Sequence, residues 1–263
     1  MTRKVVYILL LFTSFLLPAE TLSDQYIQSI DVDNMLGKKI TKSLEIVNDK
    51  NEKVTIGSFF NREKPVVMIM AYYQCPMLCS MVLNGLSDAI NATGLAPGED
   101  FDVLTVSIDP TENTEFALNK KKNYINEYFD GVEKDFWTFS TTTTENIDIL
   151  TDELGFRYSY DEKTKQYAHP AVIYVLTSDG IVSRQLFGIN PDSKDLLLAI
   201  NEANADNISS IYDKVLLYCY RYDPNAGSYT LVATNVMKLA GVSTIVFLLS
   251  FLSFFWYRER VTK

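Results

Sequence analysis

In the stretch AYYQCPMLCS, residues 71–80, Cys75 and Cys79 stand four residues apart, with Pro76 directly after the first. Residues i and i+4 share a helix face, so two sulfurs at this spacing can approach one ion from one side. Proline suits the first position of a helix, where its missing amide would have no internal partner. The spacing therefore predicts Cys75 at the N-terminus of a helix and Cys79 one turn inside it. Unsatisfied amides and the helix dipole favour anions there, so both thiolates should form readily. Three chemistries fit: thiolate coordination of a soft metal, a redox couple with Cys75 as attacker and Cys79 as resolving thiol, or two packed cysteines with no chemistry. The motif has one residue more than the C-x-x-C of thioredoxin-type couples, which favours coordination over disulfide exchange.

The chain contains one histidine, His169, in Gln166-Tyr167-Ala168-His169-Pro170. Alone it would carry little weight. Its meaning depends on the elements around it. Pro65 to Tyr73 (PVVMIMAYY) is continuously apolar, the pattern of a strand buried on both faces. After Cys75 the period lengthens, and Met77, Met81, Leu83, Leu86 and Ile90 mark the inward side of a helix that ends in the turn-forming Asn91 to Gly98. Phe101 to Ile108 is a second central strand, stopped by Asp109-Pro110. A helix over Glu112 to Tyr128, a strand over Phe136 to Ser140 and a helix over Glu145 to Leu154, closed by Gly155, follow. Ala171 to Leu176 and Ile181 to Phe187 flank the hairpin turn Thr177-Ser178-Asp179-Gly180, and Ser193 to Ala203 closes the domain as a helix. Val54 to Phe60 reads as a short edge strand.

This order gives an α/β fold: a mixed central sheet with helices on both faces, parallel in its first half and antiparallel at the hairpin. In such a sheet the strand after His169 runs antiparallel to the strand before Cys75. The loop entering one and the loop leaving the other then lie at the same sheet end. His169 can thus face Cys75 and Cys79, and two thiolates with one imidazole suit copper, the thiolates holding Cu(I) and the imidazole helping to accommodate Cu(II).

Cys75-Pro76-Met77-Leu78-Cys79 after an apolar strand, the Ser107-Ile108-Asp109-Pro110 turn, and one histidine ahead of a strand ending in Ser178-Asp179-Gly180 together resemble the SCO (SenC) family of copper chaperones. The similarity covers about Gly37 to Ala203. The continuation Cys219-Tyr220-Arg221-Tyr222-Asp223-Pro224 resembles the longer, membrane-anchored bacterial branch. The resemblance implies a thioredoxin-like fold, copper held by Cys75, Cys79 and His169, and a part in building the dinuclear copper centre of cytochrome c oxidase. Its implied partners are the copper-site subunit of that oxidase and other periplasmic copper carriers. Ser80 stands where many relatives have a second proline. Pro170 after His169 is a less expected departure and could form a cis peptide that aims the ring.

Other residues read as structural. Asp109 before proline is first a turn former. Cys219, within Val215-Leu216-Leu217-Tyr218-Cys219, reads as packed. Met68, Met70, Met77 and Met81 read as core, and Lys120-Lys121-Lys122 as a solvated helix face. The formal charge of −9, with no basic stripe, argues against a nucleic-acid partner.

The ends suggest export. Arg3 and Lys4 precede the apolar run Val5 to Leu17, and Leu17-Pro18-Ala19 offers a cleavage point, the layout of a signal peptide over 1–19. Leu239 to Tyr257 has no charge, carries Trp256 and Tyr257 at its edge and is followed by Arg258, Arg260 and Lys263, which predicts a C-terminal transmembrane helix. The expected organisation is an N-terminal segment 20–36, a copper-binding domain 37–206, a juxtamembrane linker 207–236, a membrane span 237–257 and a cytoplasmic tail 258–263. The domain itself would then face the periplasm or another extracytoplasmic space, held to the inner membrane by the span. The leading function is a metallochaperone. The alternative is a membrane-anchored thiol-disulfide oxidoreductase or thiol peroxidase using Cys75 and Cys79, and a sensor signalling through the membrane helix ranks last.

Overall fold

The computed structural model describes residues 30–60, 63–129, 135–204, 220–223, 228–231 and 233–261. Its centre is a seven-stranded sheet in the order β2-β1-β5-β4-β3-β8-β9. The strands are β1 (Glu45–Asn48), β2 (Lys53–Thr55), β3 (Val66–Ala71), β4 (Asp102–Ser107), β5 (Trp137–Thr141), β8 (Val172–Leu176) and β9 (Val182–Phe187). A separate hairpin of β6 (Ser159–Asp161) and β7 (Gln166–Ala168) leads into His169. β3, β4 and β5 run parallel, whereas β8 lies antiparallel to β3, with Val66 opposite Leu176 and Met68 opposite Tyr174. The mixed sheet expected from the sequence is thus observed. Every residue of β3, β4 and β8 is buried, so layers cover the sheet on both sides, as continuous apolar runs require. This is a thioredoxin-like α/β architecture.

The helices are α1 (Gly57–Phe60), α2 (Leu78–Thr93), α3 (Thr114–Tyr128), α4 (Thr144–Leu154), α5 (Ser193–Ala203) and α6 (Ala233–Val261). The β3-α2-β4 and β4-α3-β5 crossovers advance in one direction, and right-handed connections place both helices on one face. There α2 packs against α3 and α5. It buries Val82, Leu83, Leu86 and Ile90, each worth roughly 1.5–3 kcal/mol relative to exposure. Gly85 permits the approach to the β9-α5 loop: a Cβ there would collide with the Ile189 carbonyl and come within 2.9 Å of Asn190 Cα. α2 ends on Gly94 at φ 76°, and α4 ends on Gly155 at φ 63°, the left-handed closures that glycine provides without steric cost.

Several expectations need correction. The predicted edge strand Val54 to Phe60 is the short β2 followed by α1, because Gly57 sits so tightly against Lys42 that the chain turns there. Lys121 is no solvated residue: its Nζ lies 2.9 Å from buried Asp49, which also accepts the Phe139 amide at 3.0 Å and ties α3 to β5. Met68 and Met70 are core, but Met77 and Met81 are 68% and 41% exposed: Met77 precedes α2, and Met81 lies on the outer face of α2 with Asn84 and Asp88. No peptide bond among the described residues is cis, that before Pro170 included.

The expected C-terminal transmembrane helix over 237–257 is also corrected, and with it the placement in the inner membrane by that helix. No helix among the described residues is long and apolar enough to cross a membrane. Within α6, Ser243 and Thr244 donate to the carbonyls of Leu239 and Ala240 at 2.8 Å. Part of the expected linker 207–236 is a hairpin, Tyr220–Asp223 paired with Ser228–Leu231. The signal segment 1–19 and Cys219 lie outside the described residues.

Candidate metal centre

β3 ends at Ala71 and the chain loops through Tyr72 to Met77 before α2 begins at Leu78. Cys75 therefore precedes the helix and Cys79 occupies its first turn, one step outward from the predicted arrangement. The consequence is the same convergence by a different route. Cys75 Sγ accepts the Cys79 amide at 3.3 Å, and Cys79 Sγ accepts the Tyr72 amide at 3.4 Å. His169 Nε2 lies 2.9 Å from Cys79 Sγ. The ligand atoms of Cys75, Cys79 and His169 all fall within 4.8 Å of one another, and all three residues are buried.

The imidazole is aimed by the backbone. Its Nδ1 lies 2.9 Å from the Pro170 carbonyl, which can only accept. Nδ1–H is thus the donor, and in the neutral ring Nε2 presents its lone pair to the sulfurs. Tyr72 meets the ring edge-on at 6.1 Å and 78°, and Phe156 packs on it at 5.8 Å. Tyr72 also meets Tyr167 of β7 at 5.4 Å, so the β6-β7 hairpin that carries His169 rests on the cysteine loop.

The two thiols are unequal. A hydrogen bond from the Cys79 thiol, together with the neighbouring His169 ring and the Cys79 amide, outweighs burial and lowers Cys75 to about 3. Burial first, then the bond to Cys75, pushes Cys79 well above its ordinary value. The sequence had both thiolates forming readily. The structure divides them into an exposed-edge thiolate and an inner thiol, because only Cys75 receives the amides at the head of α2. Burial and its hydrogen bond to Cys75 raise the Tyr72 phenol, which stays a donor.

Glu112 is the residue that sequence reasoning missed. It is 5% exposed, and its carboxylate accepts the amides of Tyr73 at 2.9 Å and Gln74 at 2.7 Å, and the Ser107 hydroxyl at 2.6 Å. It therefore clamps the two residues ahead of Cys75 to the end of β4. Desolvation by burial raises its carboxyl. Asp109 is the turn former expected, taking the amide and hydroxyl of Thr111 at 2.9 and 2.7 Å. The signal for Glu112 was a carboxylate five residues beyond a strand that pairs with the cysteine-bearing one. Tyr73 adds a second clamp: its hydroxyl accepts the Ser140 amide at 2.9 Å and donates to the Ser140 carbonyl at 2.6 Å.

The donor set fits a soft ion. Metal–thiolate and metal–imidazole bonds of about 2.3 and 2.0 Å around one trigonal centre would separate the donors by about 3.7–4.0 Å. Side-chain rotations of less than an ångström convert the observed spacing into that one, and thiolate with imidazole is the ligand type copper prefers.

The SCO1/SenC family signature matches residues 32–203. The chain belongs to the SCO1/SenC family. No curated protein sequence gave a match. Among solved structures, a proposed electron transfer protein from Aquifex aeolicus VF5 is similar at 22% identity and a TM-score of 0.58, over 66% of this chain and 97% of that one. ScoI from Arabidopsis thaliana, solved with copper bound, is similar at 18% identity and a TM-score of 0.50, over 62% and 96%. BsSco, described with a disulfide switch and as a member of the Sco family of cytochrome c oxidase assembly proteins, gives 17% and 0.50, over 68% and 98%. At these identities the likeness establishes the fold of this SCO1/SenC member.

Proposed function

We propose that this protein binds copper through Cys75, Cys79 and His169 and serves, outside the cytoplasm, as a metallochaperone in assembling the dinuclear copper centre of cytochrome c oxidase. The observation that carries the reading is the convergence of two sulfurs and one imidazole nitrogen within 4.8 Å from the two sides of the β3-β8 pair. Copper-bound ScoI and the oxidase-assembly description of the Sco family support the choice of ion and of target, the copper-site subunit of the oxidase.

The residues perform three tasks. Cys75, already a thiolate, takes the ion first. Cys79 gives its proton to water as its sulfur bonds the ion, and His169 contributes the Nε2 lone pair without moving its anchored Nδ1 side. Three ligands leave a position open, so an incoming thiolate or imidazole of the partner can replace one while two still hold the cargo. Titration of the reduced full chain with Cu(I) against a chromophoric chelator should give one tightly bound ion, weakened in His169→Ala. Absence of stoichiometric binding, or binding indifferent to that substitution, refutes the reading.

The inequality of the thiols favours one second reading, thiol-disulfide exchange. Cys75 thiolate would attack a partner disulfide, forming a mixed disulfide and releasing one partner thiol. Cys79, losing its proton, would then displace the other, so that two electrons pass to the partner and a Cys75–Cys79 disulfide remains. Full reductase activity of His169→Ala without copper would favour this activity over copper carriage.

A further inference from the structure

We propose that the thioether of Met77 is a fourth, transient ligand, an outer soft donor that meets Cu(I) at the mouth of the pocket and passes it inward; the inference rests on the copper reading above. Cys75, Cys79 and His169 are 9%, 1% and 6% exposed, whereas Met77, between the cysteines in sequence, is 68% exposed. A partner of any size can therefore touch Met77, while only Cys75 among the three inner ligands shows an edge to it.

Three observations single Met77 out. First, Met77 stands two residues from Cys75 and two from Cys79, on the turn that brings both sulfurs to the pocket. Its side chain, with three rotatable bonds and no packing to restrain it, can carry the thioether about 4 Å from Cα toward an ion held by Cys75. Secondly, Met77 occupies the N-cap of α2 with φ −145° and ψ −70° and makes no side-chain cap. The corresponding positions of α3, α4 and α5 are Asn113, Thr143 and Asp192, each of which accepts an amide of its own helix. Methionine at a cap forgoes stabilisation that serine, asparagine or aspartate would supply. Here Cys75 Sγ takes the Cys79 amide instead, and the cap side chain is left for another task. Thirdly, Met68 and Met70 are 0% and 1% exposed and Met81 is 41% exposed, so Met77 is the most exposed methionine of residues 32–203. An exposed thioether gains nothing from packing.

The chemistry follows from the thioether's lack of a proton. It binds soft ions such as Cu(I) and Ag(I), and unlike Cys79 it has nothing to release first. Copper arriving at the mouth forms bonds to Cys75 Sγ and Met77 Sδ. Cys79 then yields its proton to water and its sulfur bonds copper, the Met77–copper bond breaks, and His169 Nε2 completes the inner set. Copper stays Cu(I) throughout, and the only group released is the Cys79 proton. Export retraces these steps in reverse, with a partner ligand replacing Met77.

The test uses the reduced full chain labelled with 13C in its methionine methyl groups and titrated with Ag(I), a redox-silent stand-in for Cu(I). The resonance lost in Met77→Leu identifies Met77, and that of Met81, one turn further on and 41% exposed, serves as the surface control. The expected result is a shift of the Met77 methyl during loading that Met81 does not share. In addition, Met77→Leu should slow transfer of Cu(I) to a competing chelator about tenfold while the equilibrium affinity stays within about threefold, an effect on rate more than on affinity. A silent Met77 methyl, a shift no larger than that of Met81, or an unchanged transfer rate overturns the inference. If copper binds tightly and depends on His169 in the same preparation, only the Met77 inference has failed. If no ion binds, the copper reading itself has failed and takes this one with it.

Discussion

Glu112 offers the sharpest test of how the fold builds the site. Replacing it with alanine removes the acceptor of two loop amides and of the Ser107 hydroxyl. Ser107 has an alternative in the Asp109 carbonyl at 3.3 Å, and the Gln74 amide is only partly buried, so water can serve it. The buried Tyr73 amide has no such recourse and is left unsatisfied, at a cost of about 1–3 kcal/mol. Relief of the buried carboxylate's desolvation offsets part of the total, so the expected net loss is about 2 kcal/mol in urea unfolding. Glu112→Gln should be no rescue, because its amide group can accept at one position only and presents N–H to the other donor. The larger effect should appear in metal binding. With the clamp gone, Tyr73 and Gln74 regain backbone freedom worth about 1 kcal/mol each, which must be surrendered again when copper fixes Cys75; affinity should fall roughly thirtyfold. Chelator competition on folded Glu112→Ala and Glu112→Gln measures it. Lower stability combined with copper affinity within threefold of the wild type would show that something other than Glu112 holds the cysteine loop.

Two further outcomes are expected. Cys75 lowered to about 3 is a thiolate above that pH, whereas Cys79 keeps its proton. Alkylation of the reduced, metal-free protein by iodoacetamide should therefore label Cys75 ahead of Cys79, at a rate nearly flat from pH 4.5 to 7.5, where an ordinary thiol accelerates about tenfold per pH unit; a tenfold slope at Cys75 would contradict the assignment. Gly85→Ala drives a methyl into the Ile189 carbonyl and should cost roughly 1–3 kcal/mol in urea unfolding, with copper stoichiometry retained; an unchanged midpoint would mean that α2 does not sit as tightly as described.

Much of the fold was legible because its signals are local. The apolar runs before Cys75 and Asp109, the hairpin around Ser178-Asp179-Gly180 and the glycine at Gly155 each announce an element within a few residues, and the structure places β3, β4, β8, β9 and the end of α4 there. β1, β6 and β7 were missed; they are three or four residues long and carry too few positions for a period to show. The misreading of Met77 and Met81 has a similar cause. Helical periodicity was carried back to Cys75, but the helix begins at Leu78, so Met77 lies ahead of it, and Met81 falls on its exposed face with Asn84 and Asp88.

By itself the sequence picked out the candidate donor atoms. Two cysteines four apart and one histidine in the whole chain left one plausible set, and the antiparallel relation of the strands bearing them followed from element order. Tertiary structure decided how those donors behave. The lowering of Cys75 and the raising of Cys79 depend on which sulfur faces the amides and which lies in the apolar interior. The clamp by Glu112, thirty-seven positions beyond Cys75, exists because β3 and β4 pair in register with Ala71 opposite Ser107. Burial and hydrogen bonding are sums over neighbours brought together by the whole fold, and no window of sequence contains those neighbours.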